Sequence, residues 1–278
     1  MSEQKLLLNL GCGGNFHPDW TNLDLVSAHP QVQQADLSRG IPFPPDSADA
    51  IYHSHLLEHL TPTDATGFLA ECLRVLKPGG VLRMAIPDLE QIARHYLESV
   101  KVAWQTPEPV ALANHQWMQM EMLDQLVRNQ SGGEMGKILA ASGQVNHSFI
   151  RSRLGQEIET AQSHKITKGS KPGFLAGLLA RFRRKMLRLL LGKKGLGQWD
   201  VVNFRRSGEI HQWMYDRVSL RQILKQTGFE SFSICEAQES RIADFESYGL
   251  DSRSGKVLKP DSIFVEALKP SVSRQAAA

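Results

Sequence analysis

The run from Lys5 to Asp24, KLLLNLGCGGNFHPDWTNLD, constrains the fold more than any other part of the chain. Leu6 to Leu10 reads as a buried strand, Gly11, Gly13 and Gly14 as a tight turn after it, and Asp24 as the tip of the next strand. Glycine takes positive φ and carries no side chain to keep ligand atoms from the backbone. An acid at the tip of the second strand accepts hydrogen bonds from ribose hydroxyls. A tight turn without a ligand would explain the glycines alone. Their placement between an apolar strand and Asp24 favours the way a doubly wound sheet holds an adenosine-bearing ligand.

A chain of 278 residues with 41% hydrophobic content can bury one large core, or a core plus a substantial insertion. Cys12, Cys72 and Cys235 are widely spaced and lack a CxxC pairing, which argues against a disulfide framework and a zinc site and for a reducing compartment. No metal is indicated. The apolar run at Leu6 to Leu10 has no basic leader or cleavage site, and no stretch reaches the roughly 18 apolar residues of a membrane span, so a cytoplasmic location is expected. The net charge of +3 hides an asymmetry: of 32 basic residues, ten lie between Lys165 and Lys194 without one acid, leaving 22 against 29 acids elsewhere.

Periodicity predicts strands at Lys5 to Leu10, Thr21 to Leu25, Val32 to Ala35, Ala48 to Ser54 and Val81 to Ile86, and their alternation with connections points to a parallel sheet. A helix is predicted from Pro62 to Leu76, capped by Thr61 or Thr63, with Phe68, Leu69, Cys72, Leu73, Val75 and Leu76 facing inward. Lys77-Pro78-Gly79-Gly80 is expected to stop it, with a glycine as left-handed cap. Helical patterns rich in Gln, Met and His follow Pro87. A second helix then runs from Asp216 to Gln226 with Gly228 as cap, followed by strands at Glu230 to Cys235 and Ser262 to Leu268. The expected organisation is a sheet domain over 1–88 and 203–270, a helical insertion over 89–202, and a disordered tail over 271–278.

Three segments together, LNLGCGG, IPFPPDSADAIYHSHLLEHL and LRVLKPGGVLRMAIPDL, resemble the class I S-adenosylmethionine-dependent methyltransferases. With GEIHQWMYD, TGF and DSIFVEALKP they look most like a bacterial group of predicted methyltransferases linked to cell-surface polysaccharide synthesis. The likeness covers roughly residues 5 to 88 and 203 to 270. It implies a Rossmann-like, doubly wound, seven-stranded α/β sheet, mostly parallel with the last strand antiparallel, and S-adenosylmethionine as cofactor. Gly11, Cys12 and Gly13 would line the methionine end, Asp24 would take the ribose hydroxyls, and Asp36 and Leu37 would sit against the adenine. His53, Ser54 and His55 would border the sulfonium and the acceptor.

The chain departs from the pattern at its glycine turn. Asp24 lies only 13 residues beyond Gly11, and Pro18 interrupts the interval, whereas about 20 residues are usual. That length is close to the minimum crossover of about a dozen residues between parallel strands. At most one helical turn fits, so contact between the methionine carboxylate and a helix N-terminus is not expected, and Asn15 and His17 are candidates to replace it.

Where a base assists an oxygen or nitrogen acceptor, histidine is the natural candidate at neutral pH. His53, His55 and His59 fall at the strand-to-helix corner where ligands of such sheets bind. For His55 a role as base and a structural hydrogen bond both stand; His59 reads as structural. His211, beside Trp213 and Tyr215, is the second catalytic candidate, with core packing as the competing reading. On a helical wheel of FLAGLLARFRRKMLRLLL, Phe174 to Leu191, the residues Leu175, Leu178, Leu179, Phe182, Met186, Leu189 and Leu190 share one face. Arg181, Arg184, Lys185 and Arg188 lie opposite. Such a helix fits an anionic membrane surface, or docks on its own domain with a solvated basic face. Nucleic acid fits less well, since base-stacking aromatics are lacking. Gly169 to Gly173 reads as a loop leading in. A methyltransferase with an O or N acceptor, such as a membrane-associated glycan or lipid-linked precursor, is the leading expectation. A non-catalytic binding protein and an RNA methyltransferase are the alternatives.

Overall fold

The computed structural model describes residues 5–27, 29–141, 143–155 and 174–271. The chain divides into two compact units, Met1–Arg94 with Gln212–Ala278, and His95–His211. The strands are β1 (Leu7–Leu10), β2 (Thr21–Asp24), β3 (Val32–Gln34), β4 (Ala48–Ser54), β5 (Leu76–Pro87), β6 (Glu230–Cys235), β7 (Ser252–Arg253), β8 (Lys256–Val257) and β9 (Ser262–Leu268). The helices are α1 (Pro62–Val75), α2 (Leu89–Gln105), α3 (Pro109–Val127), α4 (Gly133–Ala140), α5 (His147–Leu154), α6 (Phe174–Arg205) and α7 (Arg217–Thr227). The loop read at Gly169 to Gly173 and the tail beyond Ser271 lie outside the described residues.

The first unit is built on a seven-stranded sheet of order β3-β2-β1-β4-β5-β9-β6. Strands β1 to β5 pair in parallel, and β9 runs antiparallel to both β5 and β6. This is the doubly wound, mostly parallel sheet with an antiparallel last strand that the sequence led us to expect. Every residue of β1 is buried, as befits a central parallel strand covered on both faces.

One face carries α1 and α7. The Thr61 hydroxyl accepts the Asp64 N–H at the start of α1, Pro62 suits a position whose N–H has no helical partner, and Ala65, Phe68, Leu69, Cys72 and Val75 are buried. In α7 the Asp216 carboxylate and the Ser219 hydroxyl form a reciprocal capping box, and Gly228 closes the helix at φ 107°. Both helices pack their apolar stripes on Leu8, Leu10, Ile51, Leu82 and Met84.

The Lys77-Pro78-Gly79-Gly80 stretch corrects one expectation. Helix α1 ends at Val75 with Leu76 extended as its cap, and β5 begins at once. Gly79 has positive φ, 78°, but inside the sheet: its N–H donates to the Lys269 carbonyl at 2.9 Å, and the Lys269 N–H donates to Gly80 at 3.0 Å. Pairing with the end of β9 therefore draws the stretch out of the helix cap and into the sheet.

The opposite face is covered by a segment in which the sequence announced no regular element. Leu7, Trp20, Ala50 and Tyr52 from the sheet side pack against Ile242, Phe245 and Leu250, which lie between β6 and β9. Trp20 meets Tyr52, Phe245 and Tyr248 edge-on, with ring centroids 6.1, 6.3 and 5.5 Å apart. No helix intervenes between β1 and β2. The face a crossover helix would cover is thus filled from the other end of the chain.

Buried amides hold the helix-free crossover in place. Asn9 Nδ2 donates to the Asn15 carbonyl at 3.1 Å and to Asn22 Oδ1 at 3.0 Å, and Asn22 Nδ2 donates to the carbonyls of His17 and Trp20 at 2.9 and 2.8 Å. These side chains satisfy carbonyls that a helix would have satisfied internally.

Strand β4 presents a buried histidine to the main core. His53 is fully buried, edge-on to Phe68 at 5.3 Å, and neither ring nitrogen has a hydrogen-bond partner among the described residues. Burial pushes its pKa down to about 3, so the folded ring binds its proton more weakly than the unfolded chain does. The stability this neutral ring allows is intact above about pH 6.5 and is lost as pH falls from there toward 3. Between pH 7 and pH 5 the loss is expected to be about 2 kcal/mol. Urea melts at both pH values should show that much less acid sensitivity in His53→Leu; equal sensitivity in the two proteins would refute it.

The second unit is helical. Trp117 of α3 is fully buried, its Nε1–H donating to Glu121 at 2.9 Å, and the Glu121 carboxylate also receives Arg153 of α5. The Asp124 carboxylate accepts the Glu134 N–H at the start of α4. Helix α6 is broken at Gly192, where φ is 69°, and Arg184 pairs with Asp200 across the break at 2.8 Å. Before the break Leu178, Leu179, Phe182, Met186, Leu189 and Leu190 are exposed, between 44% and 76%. Arg183, Arg184, Lys185 and Arg188 are exposed as well. Among the described residues no helix is long and apolar enough to cross a membrane.

Candidate functional site

The carboxyl ends of β1 and β4, which are neighbours in the sheet, enclose a polar cleft. Gly11, at φ 62°, turns the chain beside Leu56, whose Cδ1 would lie 2.9 Å from a Cβ on that residue. Gly13, at φ 53°, opens on space: nothing lies within 4 Å of where its Cβ would be. These are the two places where the turn requires glycine, one for close packing and one for access.

Asp24 reaches back to this turn because the crossover is short. One carboxylate oxygen accepts the Gly13 N–H at 2.8 Å and the other the Val26 N–H at 3.2 Å. A carboxylate has about four acceptor positions, so two remain for ligand hydroxyls. Burial and the nearby Asp24 carboxylate raise the Cys12 thiol to about pKa 11, which keeps it protonated and rules it out as a nucleophile at neutral pH.

Beyond β3, Asp36 caps a short 3-10 turn at Leu37–Arg39. It accepts the Ser38 amide and hydroxyl and pairs with Arg39 at 3.1 Å; the Ser38 hydroxyl above all holds its carboxyl below the usual range. A hollow of about 470 Å³ opens beside it, bordered by Ala35, Gly40, Glu71 and Arg74. Leu37 is half-buried and packs on the main core.

Leaving β4, the three expected residues separate. Ser54 lines the cleft with Asn9, Gly11, Cys12, Asn15, Tyr52 and Lys259, around a volume of about 40 Å³. His53 does not line it: its ring lies on the other side of the sheet, against Phe68, and the expectation that it borders the sulfonium is corrected by that burial. Successive strand residues face opposite ways, so Tyr52 and Ser54 share the cleft side and His53 cannot. His55 follows with φ 51°, a left-handed backbone uncommon outside glycine and frequent at functional sites. Its Nε2 shares a 2.8 Å hydrogen bond with the buried Ser262 hydroxyl, and its Nδ1 lies 3.6 Å from Glu58 Oε1. Carboxyl, imidazole and hydroxyl therefore stand in line. His59 sits in the 3-10 turn Leu57–His59, its N–H donating to the Leu56 carbonyl.

His211 belongs to the second unit, where its backbone N–H donates to the Gln125 carbonyl at 3.0 Å and its side chain is buried. Of the two residues offered to replace a helix N-terminus, Asn15 is engaged at both ends of its amide: Nδ2 donates to the Leu250 carbonyl at 2.7 Å and Oδ1 accepts Arg253 at 2.6 Å. His17 Nδ1 accepts the Asp19 N–H at 3.2 Å.

Sequence reasoning missed Asn9, Tyr52, Ser262 and Lys259. Asn9 had a signal, an amide inside an apolar strand, which must find buried partners. Lys259 had none, since its place in the cleft depends on how Gln238–Lys259 folds back.

No curated protein matches the chain in sequence. Among solved structures it is similar to a SAM-dependent methyltransferase from Archaeoglobus fulgidus, at 12% identity over 95% of this chain and 86% of that one, with a TM-score of 0.38. It is also similar to a chain from the complex of the Haloferax volcanii Trm112 methyltransferase activator with a methyltransferase, at 12% identity over 97% and 84%, TM-score 0.38. A third likeness is to phosphoethanolamine N-methyltransferase 2 of Haemonchus contortus in complex with phosphomonomethylethanolamine and S-adenosylhomocysteine, at 12% identity over 98% and 50%, TM-score 0.37. At such identities and scores these likenesses add nothing to the strand order described above. Residues 8–84, from β1 into β5, which supply every residue lining the cleft except Lys259, match the methyltransferase domain family.

Proposed function

We propose that this chain is an S-adenosylmethionine-dependent methyltransferase acting on an oxygen or nitrogen acceptor presented at a membrane surface. The observation that carries the reading is the glycine turn with Asp24 bonded to it at 2.8 Å, at the carboxyl edge of a doubly wound sheet and inside the segment that matches the methyltransferase domain family. The residues present fit the cofactor: an open backbone at Gly13, an acid with acceptor positions to spare, and polar walls at Asn9 and Ser54.

Bound there, S-adenosylmethionine supplies an activated methyl group on a sulfonium. Gly11, Cys12 and Gly13 bind along its amino-acid end and Asp24 holds the ribose hydroxyls, with Asp36 and Leu37 toward the base. Ser54 borders the reacting centre, and His55 takes the acceptor's proton at Nε2, where the Ser262 hydroxyl now bonds. Glu58, with Oε1 3.6 Å from Nδ1, sets a carboxylate beside the ring that receives the proton.

The acceptor's location rests on α6. Six large apolar side chains are exposed on one stripe of it and flanked by exposed arginines and lysine, and no acid falls between Phe174 and Trp199. Apolar burial and attraction to anionic headgroups act together on such a helix. A lipid-linked glycan precursor is an acceptor that such a surface would present.

One assay series tests the reading on wild type, His55→Gln and Leu178→Glu. Wild type and His55→Gln should bind S-adenosylhomocysteine with similar micromolar affinity, while only wild type transfers tritiated methyl to a membrane extract of its own cells. Wild type should pellet with vesicles containing phosphatidylglycerol and Leu178→Glu should not. Absence of binding at millimolar ligand would sink the enzyme reading; binding without transfer would favour a binding protein. Label entering nuclease-sensitive material, with steep salt dependence, would point to RNA instead.

A further inference from the structure

Anions at the turn of a doubly wound sheet are ordinarily met by the N–H groups of a helix N-terminus. Here β1 leads into turns and no helix stands between it and β2. Three amides of the turn are also engaged: Cys12 donates to the Leu23 carbonyl at 3.2 Å, Gly13 to Asp24 at 2.8 Å and Asn15 to the Cys12 carbonyl at 2.9 Å. A carboxylate placed at this turn therefore finds few backbone donors, and a charged side chain would make up for them.

The segment that covers the sheet in place of that helix brings one. Among the residues lining the cleft, Asn9, Gly11, Cys12, Asn15, Tyr52, Ser54 and Lys259, only Lys259 is a cation. The cleft's volume of about 40 Å³ suits a small polar group rather than a nucleoside. We propose that Lys259 binds the carboxylate at the methionine end of the cofactor, so that a residue 248 positions beyond Gly11 does the work of the missing helix; this rests on the methyltransferase reading above.

The surroundings of Lys259 fix its backbone from both sides. The Leu258 N–H donates to the Asp251 carbonyl at 2.9 Å, and the Lys259 carbonyl accepts the Ser262 N–H at 3.2 Å. Leu250, next to Asp251, is tied by its carbonyl to Asn15 at 2.7 Å and to the Tyr52 hydroxyl at 3.3 Å. Tyr52 also donates to Asp251 at 2.6 Å. The glycine turn and the lysine are therefore registered against each other through Asn15 and Leu250, which is what a preorganised ion site requires. Arg253, bonded to Asn15 Oδ1 at 2.6 Å and to the Gly249 carbonyl at 2.9 Å, adds positive charge at the rim. An ammonium on a flexible stem suits a single carboxylate as a point charge with three donors.

Calorimetric titration of the full chain with S-adenosylhomocysteine and with 5′-methylthioadenosine, which lacks the amino-acid end, tests the assignment. Lys259→Met should weaken S-adenosylhomocysteine about 10- to 100-fold, as befits loss of a charge-assisted bond, and leave methylthioadenosine within about twofold. Lys259→Arg should retain most of the affinity. Unchanged S-adenosylhomocysteine binding in Lys259→Met overturns the assignment, and so does equal weakening of both ligands. A wild type that binds neither ligand overturns the methyltransferase reading and this assignment with it.

Discussion

Replacing Asp24 with alanine is expected to raise the dissociation constant for S-adenosylhomocysteine about 100-fold. Two losses combine. The ribose hydroxyls lose a charged acceptor, and hydrogen bonds to charged groups are each worth about 1.5–3 kcal/mol, so two of them exceed the roughly 2.8 kcal/mol that a hundredfold change needs. The Gly13 N–H, bonded to Asp24 at 2.8 Å, also loses the partner that fixes the turn. Asp24→Asn should fall between, near tenfold, because its amide accepts at one atom only and would turn a donor toward either the Gly13 or the Val26 N–H. Calorimetry gives the affinities and thermal melts confirm that the fold survives. An alanine variant that binds as wild type does would remove Asp24 from the site.

Arg83→Met is expected to destabilise the protein by about 3–5 kcal/mol, the usual cost of breaking a buried ion pair from one side. Arg83 is fully buried in β5, and all five of its N–H donors are used. Nε donates to Asp251 at 2.8 Å, Nη1 to Glu266 at 3.0 Å and to the Glu239 carbonyl at 2.6 Å, and Nη2 to the carbonyls of Glu236 and Ala237 at 3.2 and 3.1 Å. Its guanidinium also stacks over Phe245 at 4.2 Å. Removing it leaves two carboxylates, 2% and 0% exposed, without their cation. Burial already holds the Asp251 carboxyl above its usual range, and without the guanidinium that draws it down Asp251 in the folded variant should lie higher still. The native state binds more protons, so the loss should shrink as pH falls toward 5. Urea denaturation at pH 7 and pH 5 measures both effects. A loss under about 1 kcal/mol at pH 7 would mean the network does not pin the Glu236–Asp251 segment to the sheet.

The fold was legible where local chemistry and tertiary packing agree. Thr61-Pro62 opens α1 and Asp216 with Ser219 opens α7, because a cap and its backbone partners lie within one turn of sequence. Strands β4, β6 and β9 appear with the predicted limits because hydrophobic runs bounded by polar residues mark burial directly. The second strand and its acid were equally plain, and Asp24 stands at the glycine turn. Lys77 to Gly80 was misread, since proline and glycines that would end a helix in isolation are also compatible with a strand end paired to β9.

Arg83 marks the limit from another side. What buries this lone arginine of an apolar strand is a covering segment of 26 residues between β6 and β9, whose regular elements are a 3-10 turn at Phe245–Tyr248 and the two-residue strands β7 and β8. His53 likewise read as one of three histidines at a corner. Strand alternation turned it into the core while Tyr52 and Ser54 faced the cleft.

By itself the sequence determined the sheet, its helical face, and the meeting of a glycine turn with an acid, because those depend on residues close along the chain. Its 13-residue interval also determined that the usual crossover helix is missing. Only the tertiary structure decided what replaces that helix. Trp20, Tyr52, Phe245 and Leu250 must bury apolar surface together, and Arg83, Asp251 and Glu266 must pair once out of water. Those long-range demands fold Gln238–Lys259 back onto the sheet and carry Lys259 into the cleft, a placement that no spacing along the chain encodes.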